Sequence, residues 1–292
     1  MERVTKGIIT NVNRFCTDDG PGIRTTVFLK GCYLKCKWCH NPETQNFNPE
    51  ISYDKHKCIN CGACKTVCPT NCHQTKDFHE FLRANCTTCI KCAKVCPTQA
   101  LNVYGKEVDV NDIVKEIKKD IAYYGLDGGV TISGGDPLAQ PDFCKEILKR
   151  CRKIGIHTAL ETCGYSTPKN FLSVIKYCNL VLFDVKETNP QNHLKYTGVS
   201  IEPILENLKI LDTQNLPFIL RAPIIPTLND RVEHFSALKN LRDSLTNCIG
   251  LEILPYHEIG VYKYDTLNYD YGCHDIKNPD NQTVNKWHDL VK

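Results

Sequence analysis

Two closely spaced copies of one four-cysteine pattern limit the folding of this chain more than any other feature. The first is Cys58-x2-Cys61-x2-Cys64-x3-Cys68-Pro69, and the second is Cys86-x2-Cys89-x2-Cys92-x3-Cys96-Pro97. In a secreted chain such cysteines would form disulfides. The total of 19 is odd, however, and Met1-Glu2-Arg3-Val4-Thr5-Lys6 lacks the apolar core of a signal peptide. Tight C-x2-C groups therefore suit metal thiolates better than disulfides. Residues 48–104 hold few long apolar runs and could not bury a large core unaided. Metal centres would serve as internal staples for such a stretch.

The doubled spacing, with a proline after each fourth cysteine, matches the run of bacterial two-cluster ferredoxins. In that pattern the fourth cysteine of each run ligates the other cluster. Cys58, Cys61, Cys64 and Cys96 would then hold one cluster, and Cys68, Cys86, Cys89 and Cys92 the second. A pair of zinc knuckles is the alternative, and the paired spacing argues against it. Cys72 reads as an incidental thiol. The remaining free cysteines are scattered and would survive best in a reducing, anaerobic cytosol. Hydrophobic residues at 41% and charged residues at 24% are ordinary for a globular protein. A net charge of +3 is too mild to argue for nucleic acid. No apolar run approaches the roughly 18 residues of a membrane span. A cytoplasmic protein is expected.

A third motif, Cys32-x3-Cys36-x2-Cys39, follows the β-branched run Thr25-Thr26-Val27-Phe28-Leu29. Three protein ligands leave one position of a metal centre open, and an open position is where chemistry happens.

The rest of the chain alternates strand and helix patterns. Strands are predicted at 25–29, 129–133, 157–161, 180–184, 218–221 and 250–254. Helical faces recur between them, one through Val110, Ile113, Val114, Ile117 and Ile121 and another through Phe143, Ile147, Leu148, Cys151 and Ile154. Thr167-Pro168 reads as a cap and first turn of a helix reaching about Tyr177. Six strands in βα alternation imply an α/β fold with parallel strands. A complete eight-unit barrel takes about 250 residues. Residues 1–47 and 105–292 are too few for that, so a partial six-unit (β/α) barrel is expected, with 48–104 as a ferredoxin-like insert. A doubly wound open sheet is the competing topology.

Each predicted strand ends in something chemically distinctive. These ends are the three cysteines, Gly134-Gly135-Asp136-Pro137, Glu161-Thr162, Asp184-Val185-Lys186, Arg221, and Tyr256-His257. Singly, each has a plainer reading as a turn, a surface pair or a structural histidine. Together they lie at the strand edge where α/β folds build their sites.

With these residues in view, the chain resembles a known family. Cys32-x3-Cys36-x2-Cys39 with Trp38 before the last cysteine resembles the radical S-adenosylmethionine signature. Asp19-Gly-Pro-Gly-Ile-Arg24, Trp38-Cys-His-Asn-Pro42 and Leu254-Pro-Tyr-His257 resemble the glycyl-radical-enzyme activating enzymes, the group that contains pyruvate formate-lyase activase. The eight-cysteine insert is similar to that of the larger subgroup with two additional clusters, which pyruvate formate-lyase activase lacks.

The resemblance implies that Cys32, Cys36 and Cys39 hold a 4Fe–4S cluster whose fourth iron chelates S-adenosylmethionine. It implies three 4Fe–4S clusters in all. Gly134, Gly135 and Asp136 would meet the methionine amino group, mainly through backbone. Lys186, of the Asp184-x-Lys186 motif, would meet the carboxylate. Arg221 and His257 would line the adenosyl side, with Trp38 near the adenine. Asp19 and His40 would contact the glycine loop of the partner. The chain departs from the family pattern in carrying Asp136 where Glu is frequent. It also carries Glu161-Thr162 where an Asp-Thr pair binds a monovalent cation.

The implied activity is reductive cleavage of S-adenosylmethionine to methionine and a 5′-deoxyadenosyl radical. That radical abstracts hydrogen from a glycine of the partner, a glycyl radical enzyme. Ferredoxin or flavodoxin would supply electrons through the insert, and the free protein would be a monomer. Two other readings stay open. One is a radical enzyme acting on a small molecule, against which the Asp19–Arg24 motif and His40 speak. The other is a ferredoxin-type electron-transfer protein, which leaves Cys32–Cys39 without purpose.

Overall fold

A computed structural model describes residues 5–292; residues 1–4, the start of the expected first domain segment, lie outside that description. The chain runs β1 (Lys6–Cys16), β2 (Arg24–Leu29), β3 (Glu50–Tyr53), α1 (Ala63–Val67), β4 (His73–Thr75), β5 (His79–Phe81), α2 (Lys91–Val95), β6 (Leu101–Tyr104), β7 (Lys106–Asp109) and α3 (Val110–Lys118). It continues through α4 (Ile121–Tyr124), β8 (Gly129–Gly134), α5 (Pro141–Lys153), β9 (His157–Thr162), α6 (Pro168–Ile175), β10 (Leu180–Asp184) and α7 (Pro190–Thr197). The last elements are α8 (Glu202–Asp212), β11 (Phe218–Ile224), α9 (Val232–Ser244), β12 (Cys248–Pro255), α10 (Val261–Leu267) and α11 (Asn281–Val291).

Eight strands form one sheet in the order β12-β11-β10-β9-β8-β2-β1-β7. The six strands read from the sequence are its parallel part, β2 with β8 through β12. The apolar runs of β2, β8, β9, β10 and β11 are almost wholly buried, as a parallel sheet covered by helices requires, whereas β12 at the sheet edge buries only Ile253. Two strands of this sheet, and the four short strands β3 to β6, escaped the sequence reading. β1 pairs antiparallel with β2 on one side and with β7 on the other. The sheet is therefore mostly parallel with an antiparallel edge.

The helical faces follow their periodicity with two corrections. Val110, Ile113, Val114 and Ile117 are buried, but Ile121 is 48% exposed. The helix breaks before it at Asp120, whose fully buried carboxylate accepts from Thr25 Oγ1 at 2.7 Å and from Arg14 Nε at 2.8 Å. Ile154, expected on the face of α5, is 42% exposed because the helix stops at Lys153. Thr167 caps α6 by accepting from Asn170 N, and that helix ends at Ile175 rather than Tyr177.

Residues 48–104 fold apart from the large sheet. β3 pairs with β6, and β4 with β5, both antiparallel. Ile51, Cys64, Cys92 and Leu101 form a small core separate from the main one. No helix among the described residues is long and apolar enough to cross a membrane.

Candidate active site

The carboxyl ends of the parallel strands open onto a cavity of about 1120 Å³ that also reaches their amino ends at His157, Asn179 and Pro217. The loop after β2 contributes Cys32, Cys36, Trp38, Cys39 and His40 to its wall. Gly134, Gly135 and Asp136 come from the end of β8, and Glu161 and Thr162 from β9. Asp184 and Lys186 follow from β10, Arg221 from β11 and His257 from the turn after β12. Asp19 is not in the wall, although Asp18 and Gly20 are. Its carboxylate instead accepts from Thr26 Oγ1 at 2.6 Å, and its carbonyl accepts from Thr131 Oγ1 at 2.7 Å.

The cysteine loop is held from several sides. Lys35 N and Lys37 N donate to the carbonyls of Thr197 and Tyr196 at the end of α7, at 2.7 and 3.0 Å. Trp38, 3% exposed, packs edge-on against Tyr196. From α10, the Tyr264 hydroxyl donates to Cys39 O at 2.8 Å. The Lys263 ammonium from the same helix donates to His40 O, Asn41 Oδ1 and Glu43 Oε1 at 3.2, 2.9 and 2.6 Å. Burial pushes the Cys36 thiol up to about 12 and raises Cys32 and Cys39 as well. As bare thiols all three stay protonated; a cationic metal centre is what would hold them as thiolates.

The glycines at the end of β8 are required by close packing. Gly134 has φ +130°, and a Cβ there would lie 2.1 Å from Leu29 O. A Cβ on Gly135 would lie 2.4 Å from Gly31 O and 2.7 Å from Thr44 O. The backbone continues this contact, with Gly135 N donating to Leu29 O and Asp136 N to Gly31 O, both at 2.9 Å. The Asp136 carboxylate turns inward, where it accepts from Leu138 N, Thr162 Oγ1 and Cys163 N at 2.9 Å and from Cys163 Sγ at 3.0 Å. It thereby fixes the shape of the glycine turn and leaves backbone groups to face the cavity. Burial raises its pKa, against the pull of these donors.

Charge is concentrated deeper in the wall. Lys186 Nζ donates to Asp184 Oδ2 at 2.8 Å. Burial opposes charge on the ammonium, but Asp184 outweighs it and raises its pKa. Arg221 lies in register with Asp184 and Glu252 and stands inside β11, which runs on to Ile224, rather than at its end. It donates to Glu161 Oε1 at 2.8 Å, Glu252 Oε2 at 3.0 Å and Asp18 O at 2.6 Å. Glu161 also accepts from Ser133 Oγ, and burial followed by the nearby Asp184 raises its pKa. The sequence reading missed Glu252, Cys163 and Lys263. Glu252 lies inside a predicted strand, and Cys163 and Lys263 carry no motif.

His40 and His257 stack with ring centroids 3.8 Å apart and planes 25° apart. Burial first, then His257, Lys186 and Lys263, pulls His40 down to about 4, so it is neutral near pH 7. Among the described residues, Asp184 Oδ1, His40 Nε2 and His257 Nδ1 are buried polar atoms of this wall with no hydrogen-bond partner. Unpaired buried groups are rare enough that each calls for an explanation, and a polar ligand in the cavity is one.

Within residues 48–104 the eight remaining motif cysteines gather in two small cavities. Cys58, Cys61, Cys64 and Cys96 line one, and Cys68, Cys86, Cys89 and Cys92 line the other. Cys72 also lines the second, and its backbone N–H donates to Cys68 Sγ at 3.2 Å.

The profile of the Radical SAM superfamily matches residues 26–238. The trans-4-hydroxy-L-proline dehydratase activating enzyme of Clostridioides difficile is 39% identical, over 95% of this chain and 93% of its own. The indoleacetate decarboxylase activating enzyme of Tractidigestivibacter scatoligenes is 36% identical, over 98% and 95%. Among solved structures, Streptococcus suis SuiB bound to its precursor peptide SuiA superposes with a TM-score of 0.52. The match covers 89% of this chain and 43% of SuiB at 13% identity, a likeness of fold alone.

Proposed function

The chain belongs to the radical SAM superfamily, to the group that activates glycyl radical enzymes, and we propose that its strand-end cavity is where an iron–sulfur cluster and S-adenosylmethionine meet. One observation carries this reading. Three metal-competent thiols, a backbone-lined glycine turn, the Asp184–Lys186 pair and two unsatisfied histidines all face a single cavity. When bound, the cluster and S-adenosylmethionine supply a reductive cleavage whose carbon-centred product removes a hydrogen atom from a glycine of the partner.

The chain's own residues bind and orient. Cys32, Cys36 and Cys39 would hold the 4Fe–4S cluster. Gly134 and Gly135 would present backbone to the methionine amino group, and Lys186 its charge to the carboxylate. Asp136 and Thr162 act from behind, through the turn they fix. Arg221, His257 and Trp38 would border the adenosyl end. A monovalent cation at Glu161-Thr162 would have to share Glu161 with Arg221. Asp19 and His40 are assigned to the partner's glycine loop, and Asp19 would have to release Thr26 to reach it. A dry, enclosed site suits this chemistry, because water and stray groups would quench the reactive species.

We read the six parallel strands as a partial (β/α) barrel and residues 48–104 as an inserted ferredoxin-like domain with two further 4Fe–4S clusters. The separate small core and the division of its cysteines four and four support this. The inserted clusters would relay electrons from a ferredoxin or flavodoxin to the active cluster. The protein would work as a monomer in the cytoplasm, apart from its encounters with partners. Relatives named for a dehydratase and a decarboxylase leave several substrate enzymes in contention. The test is anaerobic incubation of the reduced protein and S-adenosylmethionine with candidate partner enzymes. Electron paramagnetic resonance should then show a glycyl radical on one of them. Cleavage of S-adenosylmethionine with hydrogen transfer from a small substrate, and no partner, would refute the proposal.

A further inference from the structure

The hairpin β4–β5 carries two histidines that the proposed function does not use. Pairing of Thr75 with His79 and of His73 with Phe81 sets them between the two small cysteine cavities. His79 lines the first cavity and His73 the second. Both are buried, at 7% and 2% exposure. His79 Nδ1 lies 3.4 Å from Cys58 Sγ, and its Nε2 lies 3.7 Å from Cys64 Sγ. His73 Nδ1 lies 2.9 Å from His79 Nε2. The rings are fixed in place. The Tyr53 hydroxyl donates to His79 O at 3.1 Å and the Tyr53 ring meets the imidazole edge-on, while Phe81 stacks on His73.

A neutral imidazole has one donor and one acceptor nitrogen. If His79 donates from Nδ1 to Cys58 Sγ, its Nε2 is an acceptor, and the nearby His73 Nδ1–H is the matching donor. Each proton then has one place, and His73 holds His79 in the tautomer that faces the sulfur. The cysteines of the second cavity receive a different set of donors. Cys72 N reaches Cys68 Sγ at 3.2 Å, and Thr88 N reaches Cys86 Sγ at 3.4 Å, both from backbone. A hydrogen bond to a cluster sulfur favours the more negative, reduced form and so raises the potential.

Resting on the reading of two clusters in the insert, we infer that His79, oriented by His73, hydrogen-bonds the Cys58 sulfur and makes the first insert cluster easier to reduce than it would be without that donor. The pair is a positioning device: His73 fixes the tautomer, and His79 sets the potential of the first site. No proton is transferred, because both imidazole protons stay on their nitrogens while the cluster gains its electron.

The test uses the full chain, loaded anaerobically and labelled with 15N-histidine. Potentiometric titration followed by electron paramagnetic resonance resolves the cluster midpoints, and pulsed resonance reads nitrogen coupling. One insert cluster should show coupling to histidine nitrogen in the wild-type protein. His79→Phe should lower that cluster's midpoint by roughly a tenfold change in its reduction equilibrium, about 59 mV for one electron. The other insert cluster should stay near its own value. His79→Gln, which retains a donor, should restore most of the potential while abolishing the nitrogen coupling. If His79→Phe loses its iron, the wild-type coupling and His79→Gln decide the matter. Iron near twelve per chain without nitrogen coupling, or with both midpoints unmoved in His79→Phe, would overturn the inference alone. Iron near four would overturn the two-cluster reading together with it.

Discussion

Replacing Gly135 by Ala tests whether the glycine turn positions the cysteine loop. The added Cβ would sit 2.4 Å from Gly31 O and 2.7 Å from Thr44 O, both backbone atoms. Ordinary contact begins near ~3.5 Å, so turn and loop must part by about 1 Å. Gly31 immediately precedes Cys32, and its amide donates to Thr44 O at 2.6 Å, so the displacement falls on Cys32, the first of the proposed cluster ligands. Overpacking of this kind costs about 1–3 kcal/mol of stability. A displacement of ~1 Å at a reacting centre costs on the order of 10²-fold in rate. The assay is anaerobic cleavage of S-adenosylmethionine at saturating cofactor, with iron measured on the same sample. Gly155→Ala is the control. Its φ of +80° strains a Cβ, but nothing lies within 4 Å, and it is not itself a wall residue. Gly135→Ala should fall about a hundredfold in rate while Gly155→Ala keeps wild-type turnover. A Gly135→Ala protein with full iron and unchanged rate would refute the positioning argument.

Three further outcomes are expected. Lys186→Met leaves Asp184 unpaired in the wall and should weaken S-adenosylmethionine binding by about 2 kcal/mol, roughly thirtyfold, in equilibrium dialysis. Wild-type affinity would remove Lys186 from the cofactor site. The hydrogen bond from Arg14, opposed by burial and helped by Thr25, holds the Asp120 carboxyl below its usual 3.8. Its folded value lies below its unfolded one, so its contribution is complete above the unfolded value and is lost as pH falls through the folded one. The stability gap between wild type and Asp120→Asn, read by thermal melting, should therefore narrow as pH drops below 4, and a constant gap would contradict the assignment. Cys61→Ala and Cys89→Ala should slow activation with a physiological reductant while leaving the active-site cluster intact. Unchanged rates would dismiss the relay.

The parallel strands were legible because each is a short apolar run closed by a polar signature, as in Leu180–Asp184. β1 was not, since its outer half, Asn11-Val12-Asn13-Arg14, is polar but for Val12 and mostly exposed. Its extended form comes from pairing, with β7 over Lys6–Ile9 and with β2 over Ile9–Cys16, rather than from its own periodicity. The site shows the same division. The spacing of Cys32, Cys36 and Cys39 and the Asp184-x-Lys186 motif are local patterns and could be read directly. The inward turn of Asp136 depends on Thr162 and Cys163, and the pairing of Arg221 with Glu252 depends on sheet register. Neither has a local signal. His73 and His79 have no ligand spacing at all, and only the hairpin sets them beside the cysteines.

The clamp that α10 places on the cysteine loop bears on the order in which the protein is made. Lys263 and Tyr264 grip His40 and Cys39 across 223 and 225 residues of chain. A ribosome working from the amino end completes all eleven motif cysteines long before it reaches α10. Until then the loop has its cysteines and its contacts with α7 but not the α10 clamp. Fixing of the loop is thus a late event in biosynthesis. A nascent chain stalled before residue 261 would carry all eleven motif cysteines yet hold Cys39 and His40 without the α10 clamp.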